Sequence, residues 1–179
     1  MASLGTPQSQ SSRLLGRERE LAAIVEALRS GDSCVTVAGP GGAGKSTLAR
    51  AAIQLLREVF PGGIAWVSLG GADDGDSALH RLHVALEATG KDGIAPALAA
   101  RGRTLTVLDA FDAPQESFEH QLSAWREQAP DAAWLITSRR TLGLPDERVI
   151  SVGALTSDEA LALFLARIHA VDPDFTLDP

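Results

Sequence analysis

Short unbroken apolar runs alternate along this chain with longer stretches in which apolar residues recur every third or fourth position. Five runs read as buried strands: SCVTVAG (33–39), IAWVSL (64–69), TLTVLD (104–109), AAWLITS (132–138) and ERVISV (147–152). Each is apolar or β-branched and bounded by turn-forming or charged residues. Between them the spacing predicts helices. Leu21, Ile24, Val25 and Leu28 form an i, i+3, i+4, i+7 stripe closed by Gly31, and Leu48, Ala52, Leu55, Leu56 and Val59 form another over 45–59, broken by Pro61-Gly62-Gly63. Further helices are expected from about Ser77 to Ala88, near 94–100, and from about Gln115 to Gln128 before Pro130. The last helix opens at Thr156-Ser157-Asp158-Glu159, a capping box, with Leu161, Phe164, Leu165 and Ile168 as its expected buried stripe.

Short apolar strands alternating with helices predict an α/β fold, a parallel sheet covered on both faces. No internal repeat interrupts the pattern. Residues 1–12, MASLGTPQSQSS, carry no charged side chain and little bulk, so they read as a disordered tail or linker.

Between the first strand and the second helix lies GPGGAGKST (39–47), which fits G-x-x-x-x-G-K-[ST] with Gly39, Gly44, Lys45 and Ser46 in register. Glycines let the backbone turn with positive φ and aim amides at phosphate oxygens. Lys45 supplies a point charge for β- and γ-phosphates, the Ser46 hydroxyl can ligate Mg²⁺, and the helix adds its N-terminal dipole. The third strand ends on Asp109, where a P-loop protein places a Mg²⁺-ordering carboxylate; the alternative is a helix-capping aspartate. Ala110 follows where a second acid often stands. Asp112, just before Pro114, suits either N-capping or a catalytic role. The fourth strand ends in Thr137-Ser138-Arg139-Arg140. Arg139 at that edge points toward the ligand crevice of an α/β sheet and could report a γ-phosphate, or could be a surface arginine.

Other candidates carry less. His80 and His83 share a helix face but lack a third metal ligand. DDGDS (73–77) resembles a calcium loop whose bidentate acid would fall at Val84, so it reads as a solvated loop with Asp76 or Ser77 capping the next helix. Cys34 is mid-strand and expected to be buried and inert. The three tryptophans read as core or edge packing.

Composition narrows the partners. The 179 residues suit one domain with a real core, and 45% hydrophobic content describes a globular chain. No run approaches the ~18 apolar residues of a membrane span, and no signal pattern opens the chain. One cysteine excludes an internal disulfide and multi-Cys metal sites. A net charge of −7 argues against direct nucleic-acid binding. The expected address is cytoplasmic, and the 14 Arg against two Lys suggest a GC-rich bacterial genome.

The order LLGRERELAAI (14–24), GPGGAGKSTLA, TVLDAFD and WLITSRRTLGLPDERVISVGALTSDEALALF resembles the STAND class of signal-transduction ATPases. It is most similar to the bacterial NB-ARC-like group found in large transcriptional activators. The resemblance implies a P-loop NTPase three-layer sandwich with a five-stranded parallel sheet of order 2-3-4-1-5. It implies that Leu15, Gly16 and Arg17 lie on the adenine side, favouring ATP or ADP. Gly42, Ala43, Gly44, Lys45, Ser46 and Thr47 would bind phosphates, with Ser46 and Asp109 holding Mg²⁺ and Lys45, Asp109 and Arg139 acting on the γ-phosphate. Residues 13–171 would be the nucleotide-binding domain and 172–179 the start of a linker. Relatives continue into helical and winged-helix domains, so the expected partners are those neighbours, effector and sensor domains, and another copy in nucleotide-dependent self-association. Relatives also carry Asp or Asn after the Walker B acid, where Ala110 stands, so the expected activity is a slow ATPase in a regulatory switch. The alternative is a small stand-alone P-loop kinase, for which Arg139, Arg140 and Arg148 offer thin lid chemistry. A GTPase would need an N-K-x-D run, which the chain lacks.

Overall fold

The computed structural model describes residues 15–71, 75–89, 93–111, 116–172 and 175–176. The elements run α1 (Glu18–Ser30), β1 (Cys34–Ala38), α2 (Lys45–Leu56), β2 (Ile64–Ser68), α3 (Gly75–Ala85), α4 (Ile94–Arg101), β3 (Leu105–Asp109), α5 (Glu116–Gln128), β4 (Ala133–Ser138), β5 (Arg148–Ser151) and α6 (Ser157–His169). All five strands pair in parallel, in the order β2-β3-β4-β1-β5. This is the order the resemblance implied.

Strand alternation divides the core in two. Val35, Val37, Leu105, Val107, Ala133 and Leu135 face α1 and α2, where Ile24, Leu28, Leu48, Ala52 and Leu56 close on them. Cys34, Leu108, Trp134 and Ile136 face α3, α4 and α5, where Leu82, Leu98, Phe118, Leu122 and Trp125 pack. An aromatic file crosses that second layer, Phe111 to Phe118 at 5.1 Å, Phe118 to Trp125 at 5.6 Å and Trp125 to Trp134 at 6.1 Å between ring centroids. Trp66 takes the edge position, with the Arg50 guanidinium 4.8 Å above its ring. Cys34 is wholly buried, and burial pushes its thiol up to about 11, so it is inert at neutral pH.

Three expectations are corrected. Helix α2 ends at Leu56 rather than Val59, because a tight turn with Val59 N bonded to Leu56 O brings Phe60 into the core. Helix α3 begins at Gly75, so Asp76 and Ser77 lie within its first turn rather than ahead of it. The stripe of α6 is not buried: Leu161 is 48% and Phe164 53% exposed, and no α6 side chain is fully covered by the described residues. The periodicity identified an amphipathic helix correctly, but β5 is an edge strand, and no element among the described residues packs beyond it to receive that face.

Candidate functional site

Parallel strands deliver their following loops to one edge of the sheet. The loops after β3, β4, β1 and β5 therefore meet side by side, with Ala38 opposite Ser138 and Ser151 in the ladder.

The loop between β1 and α2 is the phosphate-loop motif. Gly42 and Gly44 have φ of 79° and 88°, the left-handed region that side-chain-bearing residues avoid. Gly44 is the N-cap of α2, so the helix starts where the loop ends, and its first turn carries no acidic residue. The positive end of the helix dipole is thus unopposed. Gly39 is glycine for another reason: a Cβ there would collide with the Val152 carbonyl oxygen. Lys45 Nζ donates to the carbonyls of Gly39 and Pro40, each at 2.8 Å, which ties the loop's two ends together. Ala43 packs against the α1–α2 core, Ser46 is half-buried in the first turn, and Thr47 is exposed.

Asp109 sits at the tip of β3, 6% exposed. Thr137, wholly buried in β4, donates its hydroxyl to Asp109 Oδ1 at 2.7 Å and accepts the Ala110 amide at 2.8 Å. The Phe111 amide then donates to the Thr137 carbonyl at 2.8 Å, and its ring enters the aromatic file. This grip holds Ala110 at φ 59°, unusual for alanine. Thr137 was read only as part of a strand ending. Its signal was a hydroxyl residue inside an apolar strand whose neighbour in the sheet ends on the acid. Asp112 lies outside the described residues. Arg139 follows Ser138 at the exposed rim of the same edge.

Leu15, Gly16 and Arg17 lie at the β5 side of this edge. The Arg17 guanidinium hydrogen-bonds the Gly153 carbonyl and pairs with Glu20 at 2.8 Å, so its side chain is engaged within the protein. Gly16 has φ 75° and faces Glu159. Glu159 completes the capping box of α6, accepting from Thr156 N at 2.8 Å and Thr156 Oγ1 at 2.9 Å. The Thr156 amide, then its hydroxyl, then the charges of Arg17 and Arg19 hold the Glu159 carboxyl below its usual range.

The donor set suits Mg²⁺. Asp109 keeps one carboxylate oxygen beyond the Thr137 bond, and Ser46 offers a hydroxyl; both are hard oxygen ligands. Among the described residues no cluster of three or more His, Cys, Asp or Glu could hold a metal alone. A cation here would complete its shell with phosphate oxygens and water.

The family model for the AAA ATPase domain matches residues 13–175. Among solved structures, Cdc6p from Pyrobaculum aerophilum superposes with TM-score 0.68 at 16% identity, covering 92% of this chain and 52% of that one. A Walker-type ATPase of Pyrococcus abyssi gives 0.66 at 11% identity, covering 96% and 63%. A STAND protein with a tetratricopeptide repeat sensor from Pyrococcus horikoshii gives 0.59 at 20% identity, covering 96% and 27%. This chain thus spans between about a quarter and two thirds of the length of these neighbours, and the likeness is one of fold. No curated protein sequence shows a significant match. No helix among the described residues is long and apolar enough to cross a membrane.

Proposed function

Because the chain belongs to the AAA ATPase domain family, we propose that it is a nucleotide-operated switch: a domain that binds ATP or ADP with Mg²⁺, hydrolyses slowly, and passes its state to neighbouring domains of a longer regulator. The finer assignment follows the resemblance: an NB-ARC-like domain of a bacterial, cytoplasmic signalling or transcription protein. The observation that carries it is a fully formed phosphate loop on the same edge of the sheet as Asp109, with Ala110 where a second acid would activate water.

On this reading Lys45 exchanges its two loop carbonyls for the β- and γ-phosphates. The amides of Gly42 to Thr47 take the phosphate oxygens. Ser46 and Asp109 hold Mg²⁺, which when bound neutralises phosphate charge. Thr137 fixes the Asp109 carboxylate so that its free oxygen needs no reorganisation. Leu15, Gly16 and Arg17 bound the adenine side with their backbone, and Arg139 senses the γ-phosphate. The bare stripe of α6, Leu161 and Phe164 above all, is the surface a following helical domain would cover. The stand-alone kinase alternative draws no support from the family match.

Calorimetric titration with ADP and ATP, with and without Mg²⁺, tests this. Both nucleotides should bind, Lys45→Ala should weaken them about ten-fold or more, and turnover should fall well below ~1 s⁻¹, the low end of ordinary enzymes. Absent binding, or binding that survives Lys45→Ala unchanged, would refute the nucleotide reading. Brisk turnover would refute the switch.

A further inference from the structure

The arm ahead of α1 and the elbow between β5 and α6 are distant in sequence and tied in space. Arg17, 8% exposed, spans them: its Nη2 donates to the Gly153 carbonyl 136 residues away, while Nη1 pairs with Glu20 at 2.8 Å and neutralises the buried charge. One residue earlier, Gly16 lies so close to α6 that a Cβ would stand 2.8 Å from Glu159 Cδ. Glu159 is the residue that organises the first turn of α6. On its other side the elbow abuts the phosphate loop: Val152 N donates to Ala38 O at 2.7 Å, and the Val152 carbonyl leaves no room for a side chain at Gly39. A continuous chain of contacts thus runs from Gly39 through Val152 and Gly153 to Arg17, Gly16, Glu159 and α6. Among the described residues helix α6 buries no side chain fully, and this junction ties its first turn to the domain.

We propose that Arg17 is a positioning residue that latches the arm to the elbow and so makes nucleotide occupancy and the placement of α6 a single equilibrium. The proposal rests on the nucleotide reading above and adds the route by which occupancy reaches the helix. A ligand that favours the latched arm must favour the latched helix, and the linkage is reciprocal. A residue that merely stapled the N-terminus would affect stability alone.

The test measures ADP affinity and amide hydrogen exchange on the full chain. In the wild type, Mg·ADP should slow exchange at the Glu159 and Ala160 amides, and Arg17→Met should abolish that slowing. Arg17→Met and Glu159→Ala should each weaken ADP about five-fold or more, the lower end of ordinary allosteric couplings. The double variant should be no worse than the weaker single, because both break one unit. Arg17→Lys, which can keep one of the two bonds, should fall between. If the wild type binds ADP but Arg17→Met and Glu159→Ala bind it within about two-fold of wild type, the latch is refuted and nucleotide binding stands. The same holds if ADP leaves the α6 amides unchanged. If the wild type binds no ADP, the nucleotide reading fails first. Should Arg17→Met fail to fold, Glu159→Ala at the open end of α6 decides alone.

Discussion

Thr137→Val removes one oxygen atom and almost no volume, so its cost isolates the grip on Asp109. Thr137 is fully buried and Asp109 nearly so. The lost bond to Asp109 Oδ1, 2.7 Å long and charge-assisted, is worth about 1.5–3 kcal/mol. The Ala110 amide loses its 2.8 Å acceptor, and an unpartnered buried amide costs about 1–3 kcal/mol. The two bonds share one hydroxyl, so the losses do not add fully. The new methyl regains about 1 kcal/mol of burial. The expected net loss is therefore about 3 kcal/mol, or roughly 6–12 °C in Tm for a domain of this size. Urea denaturation followed by circular dichroism measures it, with the slope expected unchanged. Thr137→Ser keeps the hydroxyl and should lose only about 1 kcal/mol, the value of one methyl. A Thr137→Val variant within about 0.5 kcal/mol of wild type would show that Asp109 is oriented by something else, because surface-like effects are of that size.

Three further outcomes follow from single residues. Ala110→Gly should stabilise the chain by up to about 1 kcal/mol in thermal melts, since left-handed backbone costs a Cβ-bearing residue about 1–2 kcal/mol and glycine's extra unfolded entropy returns only part; a destabilised variant would contradict the φ of 59°. Thr36 lies in the core with a hydroxyl that has no partner among the described residues, so Thr36→Val should stabilise the chain by about 1 kcal/mol, read as a raised urea midpoint; a loss would reveal a partner for that oxygen. The Glu159 carboxyl is held low by the Thr156 amide, so the cap contributes fully above the ordinary glutamate range and is lost as pH falls through its depressed folded value. Exchange at the α6 first-turn amides should accelerate across that acid window, and Glu159→Gln should flatten the response; equal acid sensitivity in the variant would count against the assignment.

The phosphate loop was legible in full because its chemistry is local. Glycine spacing dictates the left-handed turns at Gly42 and Gly44, and Lys45 and Ser46 follow at fixed offsets. Strand content was equally legible, since apolar runs bounded by turns need no tertiary information. The sheet order was not read from periodicity; it came with the motif order of a family. What sequence patterns missed depends on long-range placement. The stripe of α6 looked like core because the spacing of apolar residues along a helix says nothing about what covers them. The Thr137 grip requires knowing that β3 and β4 are neighbours. Arg17 was read for its place on the adenine side; the bond of its guanidinium to the Gly153 carbonyl is a further contact whose partner only the fold could supply.

These placements separate two signals that a switch must carry. A ligand shifts a conformational equilibrium only through contacts that differ between states. On the proposed reading, the arm and its latch lie on the adenine side and meet the same group in ADP and ATP. They can report that the site is filled but cannot tell the two nucleotides apart. Discrimination must come from the other side of the phosphate loop, where the β3 and β4 ends carry Asp109, Thr137 and Arg139. Thr137 ties the backbone of β4 to Asp109 at the tip of β3, so a shift at either strand end is felt at the other. On the proposed reading Ala110 matters twice: it stands where a second acid would activate water, and it occupies the turn through which Asp109 and Thr137 are joined. On that reading a slow hydrolysis step keeps the ATP state populated, so the Asp109–Thr137 joint stays longer in its ATP arrangement. A fast one would leave the occupancy latch as the only lasting signal.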